Sequence, residues 1–257
     1  MKQKRIVILF SGGLDSTYLA WRNLKDGHEV VLKTIKIENN ENKTKMEMTA
    51  IDKIHAELYK EFSNKVTLDK EFVKVNINTS FTCSLRFSQM PIWIFSSLFL
   101  SSDFDEIQIG YVMNDDAVSH IGDLKRMYSS YQPIYSRKLP KLSFPIIKRK
   151  KYELLEELPN NYKNLVVFCE TPNINEDGTN RECGTCHSCK RYMFEEIFME
   201  RFEKNHLKTQ ENSNNLLVDY DPPGVLQIEE NKQISSMEIE IEVNPEDITQ
   251  VNKMVEI

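Results

Sequence analysis

Residues 5–17 read Arg-Ile-Val-Ile-Leu-Phe-Ser-Gly-Gly-Leu-Asp-Ser-Thr. Arg5–Phe10 is a short apolar run that predicts a buried strand, and helical spacing runs from Ser16 to Lys25 with Leu19, Trp21 and Leu24 apolar. Between them lies Ser11-Gly12-Gly13-Leu14-Asp15-Ser16. Two glycines let the main chain approach a ligand with no Cβ in the way. The helix start aims its N–H groups and positive dipole end at the same point. Ser11 and Ser16 add hydroxyls, and the whole forms a nest for phosphate oxygens. No Gly-Lys-Ser/Thr follows, so this is not a Walker loop. Asp15 would repel phosphate; its uses are to help hold Mg²⁺ or to pin the loop. A glycine turn capped by serine is the plain alternative, but the full string between a strand and a helix favours nucleotide binding. Phe10, Ser11, Gly12, Gly13, Leu14, Asp15, Ser16 and Thr17 are the candidate nucleotide contacts.

Outward from this loop, strand-like and helix-like segments alternate. Glu29–Ile37 and Phe72–Ile77 predict strands, and Lys43–Phe62 predicts a long helix. Pro91–Leu100 predicts a buried helix, Glu106–Tyr111 a strand, and Ala117–Tyr131 and Lys150–Leu158 helices. Leu165–Phe168 predicts a short buried strand, and Arg191–Lys204 a further helix. Alternation of this kind predicts an α/β fold, a Rossmann-like parallel sheet flanked by helices.

The chain has 257 residues, 40% hydrophobic and 28% charged, enough for one sizeable core. Its longest apolar stretch, Met90–Leu100, is broken by Pro91, Ser96 and Ser97 and falls short of the ~20 residues of a spanning helix. The N-terminal apolar run is too short for a signal peptide. The expected location is cytoplasmic, with no membrane partner. Net charge is −6, unevenly placed: residues 205–257 hold 11 acidic against 3 basic residues, which leaves 1–204 at +2. A slightly basic body suits an anionic small ligand and lacks the footprint of a dedicated nucleic-acid binder.

The five cysteines are Cys83, Cys169, Cys183, Cys186 and Cys189. Two overlapping Cys-x-x-Cys steps, with Cys169 upstream, offer four thiolates for a closed tetrahedral Zn²⁺ site. A redox pair with two bystanders explains the clustering less well. An iron–sulfur cluster takes the same ligands. His187 lies between ligands and is expected to face solvent.

The Ser-Gly-Gly-x-Asp-Ser string resembles the PP-loop of the N-type ATP pyrophosphatases, which cleave ATP between the α and β phosphates. With the late cysteine pattern, the chain resembles the 7-cyano-7-deazaguanine synthase (QueC) family over about residues 5–200. Phe144-Pro145-Ile146-Ile147 with Lys151 and Glu153 is similar to that family's Pro-Leu-Ile…Lys-x-Glu stretch. Gly110 followed by Asn114, Asp115 and Asp116 looks like a shifted form of its Gly-x-Asn-x-x-Asp loop. Departures are present. Lys36-Ile37-Glu38-Asn39-Asn40 stands where the family has Tyr-Gly-Gln-Arg-His, and Met90-Pro91-Ile92-Trp93 where it has Pro-x-Arg-Asn. That pattern suggests a divergent branch, such as a phage or antiphage-defence relative outside ordinary queuosine biosynthesis.

The resemblance implies an ATP-dependent ligase. ATP adenylates the carboxylate of a 7-carboxy-7-deazaguanine-type base, ammonia displaces AMP to give the amide, and a second adenylation leads to the nitrile. It implies ATP, Mg²⁺ and Zn²⁺ as cofactors. Asp15, Ser16 and Lys151 become the catalytic candidates, with Lys151 neutralising charge at the α-phosphate. Lys151 also reads as a surface residue of the basic run Lys148–Lys151. Gly110, Asn114, Asp115 and Asp116 become substrate or Mg²⁺ candidates; the acids also read as a helix cap before Ala117. Two other readings stand: a PP-loop tRNA-modifying thiolase or ligase, for which Cys83 is the spare thiol, and a non-catalytic nucleotide-binding interaction module.

Residues 1–204 form the expected ATP domain with its four-cysteine zinc site; 205–257 form an acidic linker and appendage. Met237–Val243 alternates strictly, a half-buried strand with a glutamate face. Asn244-Pro245-Glu246-Asp247 reads as a helix start. The tail is expected either to contact a protein partner or a second copy, or merely to extend the main sheet with glutamates guarding its edge.

Overall fold

The computed structural model describes residues 2–38, 40–76, 89–100, 103–113, 115–135, 138–174, 180–193 and 241–243. Its centre is a six-stranded sheet. In chain order the strands are β1 (Arg5–Leu9), β2 (Glu29–Glu38), β3 (Val66–Asn76), β4 (Glu106–Gln108), β5 (Lys141–Ser143) and, in the edge position, an eighth strand β8 (Ile241–Val243). The spatial order is β5-β4-β1-β2-β3-β8. All pairings are parallel except β3 with β8. The chain runs β1 to β2 to β3 in one direction and then returns to place β4 on the other side of β1, so the topology reverses between β1 and β4. A crevice opens beyond the strand carboxyl ends at such a reversal.

Apolar residues on both faces of β1 and β2 explain why helices cover both sides. Ile6, Ile8, Val30 and Leu32 face α1 (Leu14–Lys25), α2 (Glu41–Phe62) and the later α5 (Lys151–Glu157) and α6 (Asn160–Lys163). Val7, Leu9, Val31, Ile35 and Ile37 face α3 (Gln89–Ser97) and α4 (Ile121–Ser130). In α2 the stripe Lys43, Ala50, Ile51, Ile54 and Leu58 is buried, which is the 3.6-residue period of a helix packed on a sheet. Asn40 opens it by accepting a hydrogen bond from the Lys43 amide at 3.1 Å. Beside α2 a short hairpin, β6 (Asn173–Ile174) and β7 (Asn180–Arg181), leads into α7 (His187–Met193).

Several expectations are revised. Helix α1 begins at Leu14, not Ser16, so the loop is shorter than its motif. Strand β3 begins at Val66, six residues before Phe72. Leu165–Phe168 is not a strand: the Val167 amide instead bonds the Gly12 carbonyl at 3.1 Å. The segment crosses the phosphate loop instead of joining the sheet. Strand β5 and helix α6 were not anticipated. The Arg191–Lys204 helix begins earlier, at His187, and its part beyond Met193 lies outside the described residues. Cys83, Asn114, the linker 205–215 and the helix after Asn244 also lie outside them.

Of the appendage, Ile241–Val243 pairs antiparallel with Val73–Val75 and covers that part of the β3 edge. That is the sheet-extending form of the two tail readings. Truncation after Lys204 removes this cover and leaves β3 with unpaired main-chain groups. The truncated protein is expected to self-associate at concentrations where the full chain does not, as read by light scattering.

Candidate ATP and metal-binding site

The crevice at the ends of β1, β2 and β4 is lined by Ser11, Gly13, Asp15 and Ser16 of the loop, Thr34–Ile37 of β2, and Lys43, Glu47, Met48 and Ile51 of α2. Trp93 of α3, Ile109–Tyr111 after β4, and Val167–Glu170 complete it. Gly12 is left-handed at φ +71°, and a Cβ there would meet Ile51 Cγ1 at 3.1 Å. Helix α2 therefore lies directly on the loop, and only glycine fits. The loop is closed by its serines. Ser16 Oγ accepts from the Ser11 amide at 3.4 Å and donates to the Gly13 carbonyl at 3.2 Å, while Ser11 Oγ accepts from the Gly13 amide at 3.4 Å. Gly13 is the N-cap of α1, and no side chain caps it. A helix start left without a side-chain cap can take an anion.

Behind the loop, Asn23 Nδ2 donates to Gln108 Oε1 at 2.8 Å and ties α1 to β4. Gly110 then passes so close that a Cβ would meet Asp15 C and Ser16 N at 3.0 Å. Gly110→Ala must push the loop off β4. A loss of about 1–3 kcal/mol and a raised KM for ATP are the expected results, read by thermal melting and steady-state kinetics.

Lys151, at the start of α5, reaches the loop. Its Nζ lies 3.0 Å from Asp15 Oδ2 and 3.7 Å from Asp115 Oδ1. All three side chains are about 15% exposed, so the surface reading of Lys151 does not hold. Asp15 pins the loop to α5. Asp115 Oδ2 accepts from the Val112 amide at 2.8 Å; its side chain makes no helix cap, although its main chain opens the 3-10 turn Asp116–His120. Glu153 does not face the cleft. It accepts from the Lys150 amide at 2.8 Å and from Arg149 Nε at 3.0 Å, and the Arg149 carbonyl in turn accepts from the Met113 amide at 2.9 Å. Glu153 thus sets where Lys151 leaves the chain. Of the remaining sequence candidates, Phe10, Leu14 and Thr17 are core residues at 0–2% exposure, so any contact they make to a nucleotide is through main chain.

The four late cysteines converge. Their Sγ atoms all lie within 4.8 Å of one another, with Cys183 and Cys189 at 3.9 Å. Tetrahedral thiolates about 2.3 Å from one zinc stand roughly 3.8 Å apart. Sulfurs that each bind a different iron of a cubane stand farther apart, so the spacing fits a single ion. Cys183 Sγ accepts from the amides of Thr185 at 3.4 Å and Cys186 at 3.3 Å. The Cys189 amide donates to Cys186 Sγ, and the Cys183 amide to Cys169 Sγ, each at 3.3 Å. Gly184, at φ +74°, makes the turn between ligands. Burial raises the Cys183 thiol, but the Thr171 and Thr185 hydroxyls and these amides outweigh it and bring the group down to about 5. Burial pushes Cys169 up to about 11.

The two centres share a wall. Cys169 lines the cleft, Val167 is bonded to Gly12, and Glu170 is paired with buried Lys43 of α2. Sequence reasoning missed Thr34, Lys43, Glu47, Trp93 and Glu170. Lys43 had a legible signal: it continues the apolar stripe of α2, where a lysine is out of place unless it meets a partner or a ligand.

No family model and no curated protein matches this chain. Solved structures with a related trace include the U34-tRNA thiolase NcsA from Methanococcus maripaludis with its 4Fe-4S cluster, at 15% identity and a TM-score of 0.41 over 82% of this chain and 70% of that one. A 4-thiouridine synthetase in complex with RNA and ATP gives 14% and 0.41 over 80% and 53%. The NMN synthetase from Francisella tularensis gives 14% and 0.34 over 85% and 90%. At these values the likeness says nothing of substrate or activity. Among the described residues no helix is long and apolar enough to cross a membrane.

Proposed function

We propose that the chain is an ATP-dependent ligase that adenylates the carboxylate of a 7-carboxy-7-deazaguanine-type base and passes the acyl group to ammonia. The observation that carries this reading is the junction of a serine-closed loop, held by Asp15 and Lys151, with a four-thiol cluster whose Cys169 lines the same cleft. In the first step a carboxylate oxygen attacks the α-phosphorus and pyrophosphate leaves. In the second, ammonia attacks the acyl carbon, and AMP departs with one former carboxylate oxygen. A further round on the amide oxygen, with loss of AMP and two protons, gives the nitrile.

The chain's own groups supply electrostatics. The amides at the start of α1 bind the departing pyrophosphate, and Lys151 donates to the α-phosphate as its charge grows. Asp15 holds Lys151 and the loop in register and would be the loop's oxygen ligand for Mg²⁺, which would supply charge neutralisation at the phosphates. Cys169, Cys183, Cys186 and Cys189 would hold Zn²⁺, which with four thiolates has no open position and serves to fix the cleft wall. Mass spectrometry after incubation with ATP, Mg²⁺, ammonia and 7-carboxy-7-deazaguanine tests the reading. The expected products are AMP, pyrophosphate and the amide or nitrile. AMP formed only with tRNA would transfer the chemistry to a tRNA-modifying enzyme, and no AMP with either would leave a nucleotide-binding module.

A further inference from the structure

The cleft has two unlike walls. Leu9, Ile35, Ile37, Trp93 and Ile109 make one of them apolar. Across the sheet plane the other is polar. Side chains alternate along a strand, so with Ile35 on the α3 side, Thr34 points to the α2 side. There it meets the wall that carries Lys43, Glu47 and Glu170.

Three features of this polar wall call for a ligand. Thr34 is 2% exposed, and its hydroxyl has no hydrogen-bond partner among the described residues. A buried hydroxyl without a partner is costly unless something else supplies one. Glu47 lies 3.9 Å from Lys43 Nζ, beyond hydrogen-bond reach, and no hydrogen bond to its carboxylate is found among the described residues. The Glu47 side chain is 31% exposed and lines the cleft; desolvation and neighbouring Glu170 raise its carboxyl to about 7 against the pull of Lys43. Lys43 itself is held by Glu170 on one side and keeps donor capacity toward the cleft, since an ammonium has three N–H groups.

The order of groups is an acceptor pair on Glu47 beside a donor on Lys43. A guanine-type ring presents the complement along one edge: two neighbouring donors, the ring N–H and the 2-amino group, beside a carbonyl acceptor. Adenine has one donor on its pairing edge and cannot engage both carboxylate oxygens. The apolar wall, which offers stacking surface, suits adenine better. We propose that Glu47, Lys43 and Thr34 form the subsite that reads the 2-amino-4-oxo edge of the base, with Glu47 as the specificity-determining residue. The proposal rests on the deazaguanine reading above and names how that base is told from others.

The test compares the wild type with Glu47→Gln by calorimetry, using 7-deazaguanine and 7-deazahypoxanthine, which differ only in the 2-amino group. Thermal melting of both proteins checks that the variant is folded. A charge-assisted hydrogen bond contributes about 1.5–3 kcal/mol, equivalent to roughly 10- to 150-fold in affinity. The wild type is expected to prefer 7-deazaguanine by at least about tenfold. Glu47→Gln should lose most of that preference while the calorimetric Kd for ATP stays within about twofold. The same preference in the variant, no binding of 7-deazaguanine to the wild type, or an equal loss of ATP affinity would overturn the assignment; the last would put adenine on this wall. Failure of the function reading shows separately, as absence of AMP with the carboxylated base, and leaves the calorimetric comparison decisive for the subsite.

Discussion

Asp15→Ala is expected to lower ATP-dependent AMP formation by about 100- to 1000-fold, the range seen when one preorganised charge-stabilising group is removed. Asp15 makes the 3.0 Å contact that brings Lys151 to the loop. Without it, the lysine loses its 3.0 Å tie to the loop and moves away from the nucleotide. Ser16→Ala should act in the same direction, because its hydroxyl joins the Ser11 amide to the Gly13 carbonyl. Pre-steady-state measurement of AMP at saturating ATP reads the chemical step, and far-UV circular dichroism shows whether the sheet is intact. Normal turnover in both variants would remove the loop from the chemistry.

Loss of the metal should be felt first as loss of stability. Cys186→Ser, or exhaustive chelation of the purified protein, removes a corner of the closed cluster. Breaking a structural metal site belongs to the class of changes that cost on the order of 4 kcal/mol or more, and each kcal/mol lowers Tm by about 2–4 °C in a domain of this size. A fall of roughly 8–16 °C is therefore expected. Metal analysis should give one zinc per wild-type chain. Because Cys169, Val167 and Glu170 join the cluster to Gly12 and Lys43, KM for ATP should rise in the surviving fold. Four freely titratable thiols in the native protein would contradict the assignment.

The sequence was most readable where one local rule decides the outcome. Arg5–Leu9, the loop and α1 follow from an apolar run, two glycines and helical spacing, all within a few residues. Helix α2 follows from a stripe repeated from Lys43 to Leu58. The cysteine cluster was readable because thiolate spacing is set by the ion. The misses arise where tertiary contacts outweigh local pattern. Val66–Glu71 carries Asp69, Lys70 and Glu71 and does not read as a strand, yet it pairs with β2, with Asp69 2.5 Å from Lys33. Lys141–Ser143 is too short to announce itself and becomes a strand because β4 offers an edge. Leu165–Phe168 reads as a strand because it is apolar; it is apolar because it packs over the loop. The polar wall was readable only at Lys43. Glu170 is 127 residues further along the chain, and only the crossing of residues 167–170 over the loop brings it to Lys43 and the end of β2.

The central claim, that ATP activates a carboxylate by adenylation at this loop, is tested most directly by oxygen transfer. The protein is incubated with ATP, Mg²⁺, ammonia and 7-carboxy-7-deazaguanine whose carboxylate carries heavy oxygen, and the AMP is weighed by mass spectrometry. The predicted result is AMP with one heavy oxygen and an amide that has lost one. Unlabelled AMP, or ADP and phosphate in its place, would contradict the account.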